Sequence, residues 1–238
     1  MSSLPLLSGC GPILVHMSRT RIKFCGLTRE EDIDAAVRAG ADAIGFVFYP
    51  PSKRVLTLER AAQLRACVPP FVSVVALTVN AAEADIRAIM NQVRPDLLQF
   101  HGDESPEYCR QFGLPYLRAF RVGAPGLETE DALLESCLSH RDAAGWLFDS
   151  HSEGYGGSGK RFDWSCLNTL AGHARARPIV LSGGLNTGNV RAALSQVRPY
   201  AVDVSSGVES APGIKCPVKM QEFANEVRRF DAIQDSPL

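Results

Sequence analysis

Short apolar, β-branched runs alternate with helix-like stretches from Arg21 to the C-terminal region, and this alternation constrains the fold more than any other feature. The pattern predicts strands at 21–25, 43–48, 71–78, 96–100, 115–120, 145–149, 178–182 and 200–204. It predicts helices at 29–39, 57–67, 81–93, 105–112, 128–139, 163–170, 186–196 and 214–230. Strand-then-helix repetition implies a parallel sheet, because each crossover helix returns the chain to the same end. Eight such units in about 210 residues fit a single-domain α/β fold, the closed (β/α)8 or TIM barrel. An open doubly wound sheet is the alternative. It loses its main support because no Gly-x-Gly-x-x-Gly follows the first strand.

Local signals agree with these boundaries. Ser105-Pro106-Glu107 offers a cap followed by a first-turn proline, and Gly40 follows the first helix. Thr28 precedes the acidic run Glu30, Glu31 and Asp32. Residues 1–19 are expected to be an extension without fixed structure, with Met17 an alternative start, and residues 20–238 the barrel.

Composition narrows the class of partner. The net charge is −1, which gives no broad surface for nucleic acid or membrane. No apolar run reaches the roughly 18–20 residues that cross a bilayer. Seven cysteines, odd in number and widely spaced, form no Cys-x-x-Cys or Cys/His metal pattern. The expectation is a reduced, cytoplasmic protein without a metal site.

In such a barrel the chemistry lies at the C-terminal ends of the strands. Strand residues alternate faces, so in RIKFC the side chains of Ile22 and Phe24 point outward and those of Arg21, Lys23 and Cys25 inward. Cys25 then stands at the upper rim, with Lys23 one layer below. Asp203 on the neighbouring last strand also faces inward. A Lys23–Asp203 pair is expected, since an unpaired internal charge is costly. Asp149 ends the sixth strand and is a candidate general acid or base facing Cys25. Ser182-Gly183-Gly184 and Ser205-Ser206-Gly207 end the last two strands. Their backbone N–H groups suit a phosphate, with Gly183, Gly184, Ser206 and Gly207 the candidate contacts. Arg54, beside two prolines, is a candidate grip for a carboxylate, and His101 a candidate rim residue. The glycine-rich run 155–164, with Lys160, reads as a loop that folds over a ligand.

KFCGLT, GFVFYPPSKR, QFHGDE, LFDS with YGGSGKRFDW, LSGGLN and AVDVSSGVE follow one another in this order. Together they resemble the phosphoribosylanthranilate isomerase family of tryptophan biosynthesis, over about residues 20–230. The resemblance implies an Amadori rearrangement of an aminoaldose to an aminoketose, with a small phosphorylated substrate and no cofactor. It implies Cys25 as general base, Asp149 as general acid, Arg54 on the anthranilate carboxylate, and the glycine clusters on the phosphate. A monomer or homodimer is expected. The chain departs from the family's usual pattern at its N-terminal extension and at Cys216, where an aspartate is common. Two rivals are another phosphate-binding barrel enzyme and a non-catalytic binding barrel. A histidine-pathway isomerase would be expected to carry Asp at the end of strand 1, where this chain has Cys25.

Overall fold

The computed structural model describes residues 19–150 and 162–234. Eight parallel strands close in sequence order into one barrel: β1 (Arg21–Cys25), β2 (Ala43–Val47), β3 (Ser73–Thr78), β4 (Leu97–Phe100), β5 (Tyr116–Val122), β6 (Gly145–Ser150), β7 (Ile179–Leu181) and β8 (Ala201–Val204). The helices are α1 (Glu30–Ala39), α2 (Leu58–Ala66), α3 (Glu83–Gln92), α4 (Pro106–Arg110), α5 (Glu130–Ser139), α6 (Asn168–Ala171), α7 (Val190–Val197) and α8 (Pro217–Gln234). The expected fold class is therefore observed.

Period-two alternation sorts the strand side chains into two cores. Ile22, Phe24, Ile44, Phe46, Phe100, Trp146 and Phe148 pack outward under the helices. Val75, Leu117, Ala119, Leu147, Val180 and Ala201 fill the barrel interior. Where β1 meets β8 the interior is polar instead: Lys23 and Asp203 are register partners, and their side chains meet at 2.9 Å. Both are almost fully buried. Burial works against the charge on Lys23, but Asp203 beside it holds the ammonium above its ordinary pKa. Removing one partner of such a pair costs about 3–5 kcal/mol.

Several predicted elements need correction. The segment 214–230 does not begin as helix. Glu209–Ala211 (β9) and Ile214–Lys215 (β10) form a small antiparallel hairpin, and the last helix runs Pro217–Gln234. Pro217 starts it, and the Cys216 carbonyl accepts the first bond, from Met220 N–H. Residues 186–189 are a turn, because the side chains of Asn186 and Asn189 accept nearby backbone N–H groups in place of a helical ladder. The sixth helix opens as a 3-10 turn, Trp164–Leu167. Thr28 does not cap α1; its hydroxyl donates to the Gly213 carbonyl and ties the β1 loop to the hairpin. Ser105 does cap α4, accepting from Tyr108 N–H.

The predicted extension 1–19 and the Gly-rich loop with Lys160 lie outside the described residues, apart from their last positions. Arg19 already pairs with Asp42, and Thr20 binds Asp231 through both its N–H and its hydroxyl. No described helix is long and apolar enough to cross a membrane.

Candidate active site

The C-terminal ends of the strands open into one cavity of about 580 Å³. Cys25, Arg54, His101, Asp149, Gly183, Gly184 and Ser206 all line it. Residues far apart in the chain meet there because each lies at the C-terminal end of a strand of the same closed barrel or in the loop that follows it.

Cys25 sits between two glycines. It ends β1 opposite Gly45 of β2. A side-chain carbon on Gly45 would lie only 2.7 Å from the Cys25 sulfur and 3.2 Å from Lys23 Nζ, so the bare glycine makes room for thiol and ammonium together. Gly26 follows with φ +74°, a conformation that side chains rarely adopt, and a Cβ there would strike the Arg54 chain at 2.3 Å. Burial pushes the Cys25 thiol above its ordinary pKa and Asp203 adds to this, while Lys23 and Lys215 pull it down. Burial thus favours the thiol form, and the Lys23 and Lys215 amino groups close by oppose it.

Asp149 is the penultimate residue of β6, on the inward side with Leu147. Its Oδ1 accepts from Ser150 N–H at 2.8 Å. Its Oδ2 lies 3.2 Å from His101 Nε2, an ion-pair distance without hydrogen-bond alignment. His101 follows β4, and its Nδ1 is 3.1 Å from Gln99 Nε2. Arg118 on β5 fixes this rim by donating to the Phe100 and Gly102 carbonyls and pairing with Glu104 at 3.0 Å.

Arg54 does not stand free. It grips Glu209 through Nε at 2.7 Å and Nη2 at 2.8 Å, and Glu209 also accepts from Lys215 Nζ at 2.8 Å. Burial works against the Glu209 charge, but the bonds from Arg54 and Lys215 outweigh it and hold the carboxyl below its usual range. Burial lowers Lys215. Two cations and one anion leave this corner of the cavity net positive, which suits an anionic ligand group.

The glycine clusters divide. Gly183 and Gly184 have φ of +82° and +68°. A Cβ on Gly183 would meet Ser150 N at 2.7 Å and Asp149 Oδ1 at 3.1 Å, so this glycine lets the β7 loop reach the carboxylate. Ser206 opens a 3-10 turn, Ser206–Val208. Gly207, expected as a ligand contact, is not among the cavity-lining residues. A Cβ there would sit 1.9 Å from the Leu185 carbonyl, so the residue serves the close packing of the two loops.

The N-(5'-phosphoribosyl)anthranilate isomerase family profile matches residues 22–226. The chain belongs to the N-(5'-phosphoribosyl)anthranilate isomerase family. A relative of that name from Bordetella petrii is 59% identical over 213 residues, covering 90% of this chain and 97% of the relative. The crystal structure of phosphoribosyl anthranilate isomerase from Thermotoga maritima is 40% identical with a TM-score of 0.80, covering 88% and 99% of the two chains. A phosphoribosyl anthranilate isomerase solved in complex with reduced 1-(o-carboxyphenylamino)-1-deoxyribulose 5-phosphate is 38% identical with a TM-score of 0.77, over the same shares.

Sequence reading of this isomerase-family chain missed Glu209, Lys215 and Gln99 as site builders. Glu209 closes the AVDVSSGVE run and Lys215 lies at the start of the predicted helix 214–230, but their pairing depends on the β9–β10 hairpin, whose second strand falls within that predicted helix. Gln99 was visible at a strand end, yet only the i, i+2 geometry of β4 shows that it backs His101.

Proposed function

We propose that this chain, as a member of its family, isomerises N-(5'-phosphoribosyl)anthranilate to 1-(2-carboxyphenylamino)-1-deoxyribulose 5-phosphate in tryptophan biosynthesis, with Asp149 as general acid and Cys25 as general base. Asp149 gives its proton to the ribose ring oxygen. The C1'–O bond breaks, and the nitrogen lone pair forms the iminium. Cys25, as thiolate, removes the C2' proton, and the C–H electrons become the C1'=C2' bond of a neutral enolamine. Loss of the C2' hydroxyl proton and gain of a proton at C1' complete the ketone. The nitrogen is the electron sink, so the steps as written call for no cofactor.

The observation that carries this reading is that Cys25 and Asp149 line one cavity together with a positively charged corner and the glycine-rich β7 loop. Burial raises the thiol pKa, while Lys23 and Lys215 lower it. A cationic iminium beside them adds to the pull toward the thiolate, which forms by release of the thiol proton to solvent before Cys25 takes the C2' proton. The edge of Arg54 not engaged with Glu209 is assigned to the anthranilate carboxylate, and Gly183, Gly184 and Ser206 to the phosphate. All these groups come from one chain, which accommodates a monomer or a homodimer. The six described cysteines are free, in keeping with a reduced, cytoplasmic setting.

The test is turnover of N-(5'-phosphoribosyl)anthranilate, followed by loss of its fluorescence, in the parent protein and in Cys25→Ala and Asp149→Ala. Each variant is expected to lose about 10²–10⁴ in kcat. A parent-like rate in either one removes its assigned role. Binding without turnover in the parent would favour a non-catalytic barrel.

A further inference from the structure

Gln99, His101 and Asp149 form a buried polar row across the barrel mouth, reaching from β4 to β6. They are 0%, 4% and 7% exposed, so none is solvated enough to choose its partners freely. Gln99 of β4 and His101, which follows it, lie on the inward side, while Leu98 and Phe100 pack outward. The Gln99 side-chain nitrogen is 3.1 Å from His101 Nδ1, and His101 Nε2 is 3.2 Å from Asp149 Oδ2. Two atoms of the row, Gln99 Oε1 and His101 Nε2, have no aligned hydrogen-bond partner. The other oxygen of Asp149 is engaged by Ser150 N–H.

With the Gln99 amide nitrogen 3.1 Å from Nδ1, a hydrogen bond between them calls for a lone pair on Nδ1. A neutral imidazole then carries its hydrogen on Nε2, which faces Asp149. The opposite tautomer would present a bare Nε2 lone pair to the carboxyl group. That lone pair would compete with the substrate's ring oxygen for the acid's proton. A hydrogen on Nε2 is compatible with both states of the acid, because Oδ2 keeps a lone pair whether or not it is protonated.

We propose that Gln99 is a positioning residue for the Asp149 acid, acting through His101: its amide fixes the imidazole as the neutral Nε2–H tautomer, with Nε2 3.2 Å from Oδ2. When Asp149 has given its proton to the ring oxygen, the Nε2–H stabilises the carboxylate left behind, alongside Ser150 N–H. His101 itself gains and loses nothing in the step. The charged groups around the row are Arg118, which holds the carbonyls on both sides of His101, its partner Glu104, and the Arg121–Asp103 pair at the rim. This proposal rests on Asp149 being the acid, but its first readout does not need turnover.

Nitrogen-15 NMR of the histidine rings in the full-length protein at neutral pH, with His101 assigned from a His101→Asn variant, reads the tautomer directly. The expected result is an unprotonated Nδ1 and a protonated Nε2. Gln99→Glu keeps the shape but offers Nδ1 only an acceptor, so it should move the hydrogen to Nδ1 or create the imidazolium. Its kcat should fall by up to about 10²-fold with KM little changed, as for a misplaced catalytic group. A protonated Nδ1 in the parent protein overturns the proposal, even if Asp149→Ala still abolishes turnover. So does a folded Gln99→Glu with parent-like kcat. Full turnover in Asp149→Ala, with the Nε2–H tautomer observed, would instead remove the acid and with it the role given to Gln99.

Discussion

Gly45→Ala puts a single methyl group at the point where β2 faces the end of β1. Gly45 sits in the strand with no left-handed φ, so alanine fits the backbone. The new carbon, however, would stand 2.7 Å from the Cys25 sulfur, 3.1 Å from its Cα and 3.2 Å from Lys23 Nζ. Non-bonded carbon contacts are comfortable at about 3.5–4.0 Å, so the sulfur must retreat by about 1 Å. The Cys25 Cα is backbone and yields only a few tenths of an ångström. Overpacking of this kind costs about 1–3 kcal/mol, which a barrel of this size tolerates. A catalytic atom displaced by about 1 Å is expected to lose about 10²-fold in rate. The assay pairs kcat/KM from substrate fluorescence with urea unfolding and with alkylation of the Cys25 thiol across pH. The expected outcome is a folded protein with about a hundredfold lower kcat/KM and altered thiol alkylation. A folded Gly45→Ala with parental kcat/KM would show that the sulfur's position is not what the reaction depends on.

Two further outcomes follow from the charges. Glu209→Gln removes the carboxylate that Arg54 and Lys215 share, so Arg54 loses its fixed orientation; KM should rise about tenfold or more with kcat less affected, read by steady-state kinetics. A change confined to kcat would remove Arg54 from substrate binding. Burial, helped by the Arg118 charge, pushes His140 down to about 4. Its unfolded counterpart titrates near 6.5, so the unfolded state binds the extra proton first. The associated stability is present above pH about 6.5 and is lost as the pH falls to about 4, by about 3 kcal/mol at most. Urea unfolding at several pH values should show this slope in the parent protein and a smaller one in His140→Phe. Equal slopes would place the titration elsewhere.

The fold was legible because its signal is local and repeated. Each strand needs only a short apolar run and each helix only its own spacing, and eight repetitions leave few architectures. The Lys23–Asp203 pair was legible for the same reason, since strand parity sends both inward and closure makes β1 and β8 neighbours. What failed were the short polar segments: 186–189 and 214–215, where side-chain hydrogen bonds and a two-strand pairing override propensity. The close packing of Gly207 on the Leu185 carbonyl was not legible either, because a packing glycine and a ligand-binding glycine look the same in a sequence.

The order of residues determined the barrel, the inward face of each strand and the identity of the candidate acid and base. Only the folded chain decided how those groups are held: Glu209 on Arg54, Gln99 on His101, and the missing methyl of Gly45 beside the thiol. The physical reason is distance. Periodicity reports the residues that one segment turns toward a common core, whereas orientation, burial and charge are set by atoms contributed by other strands.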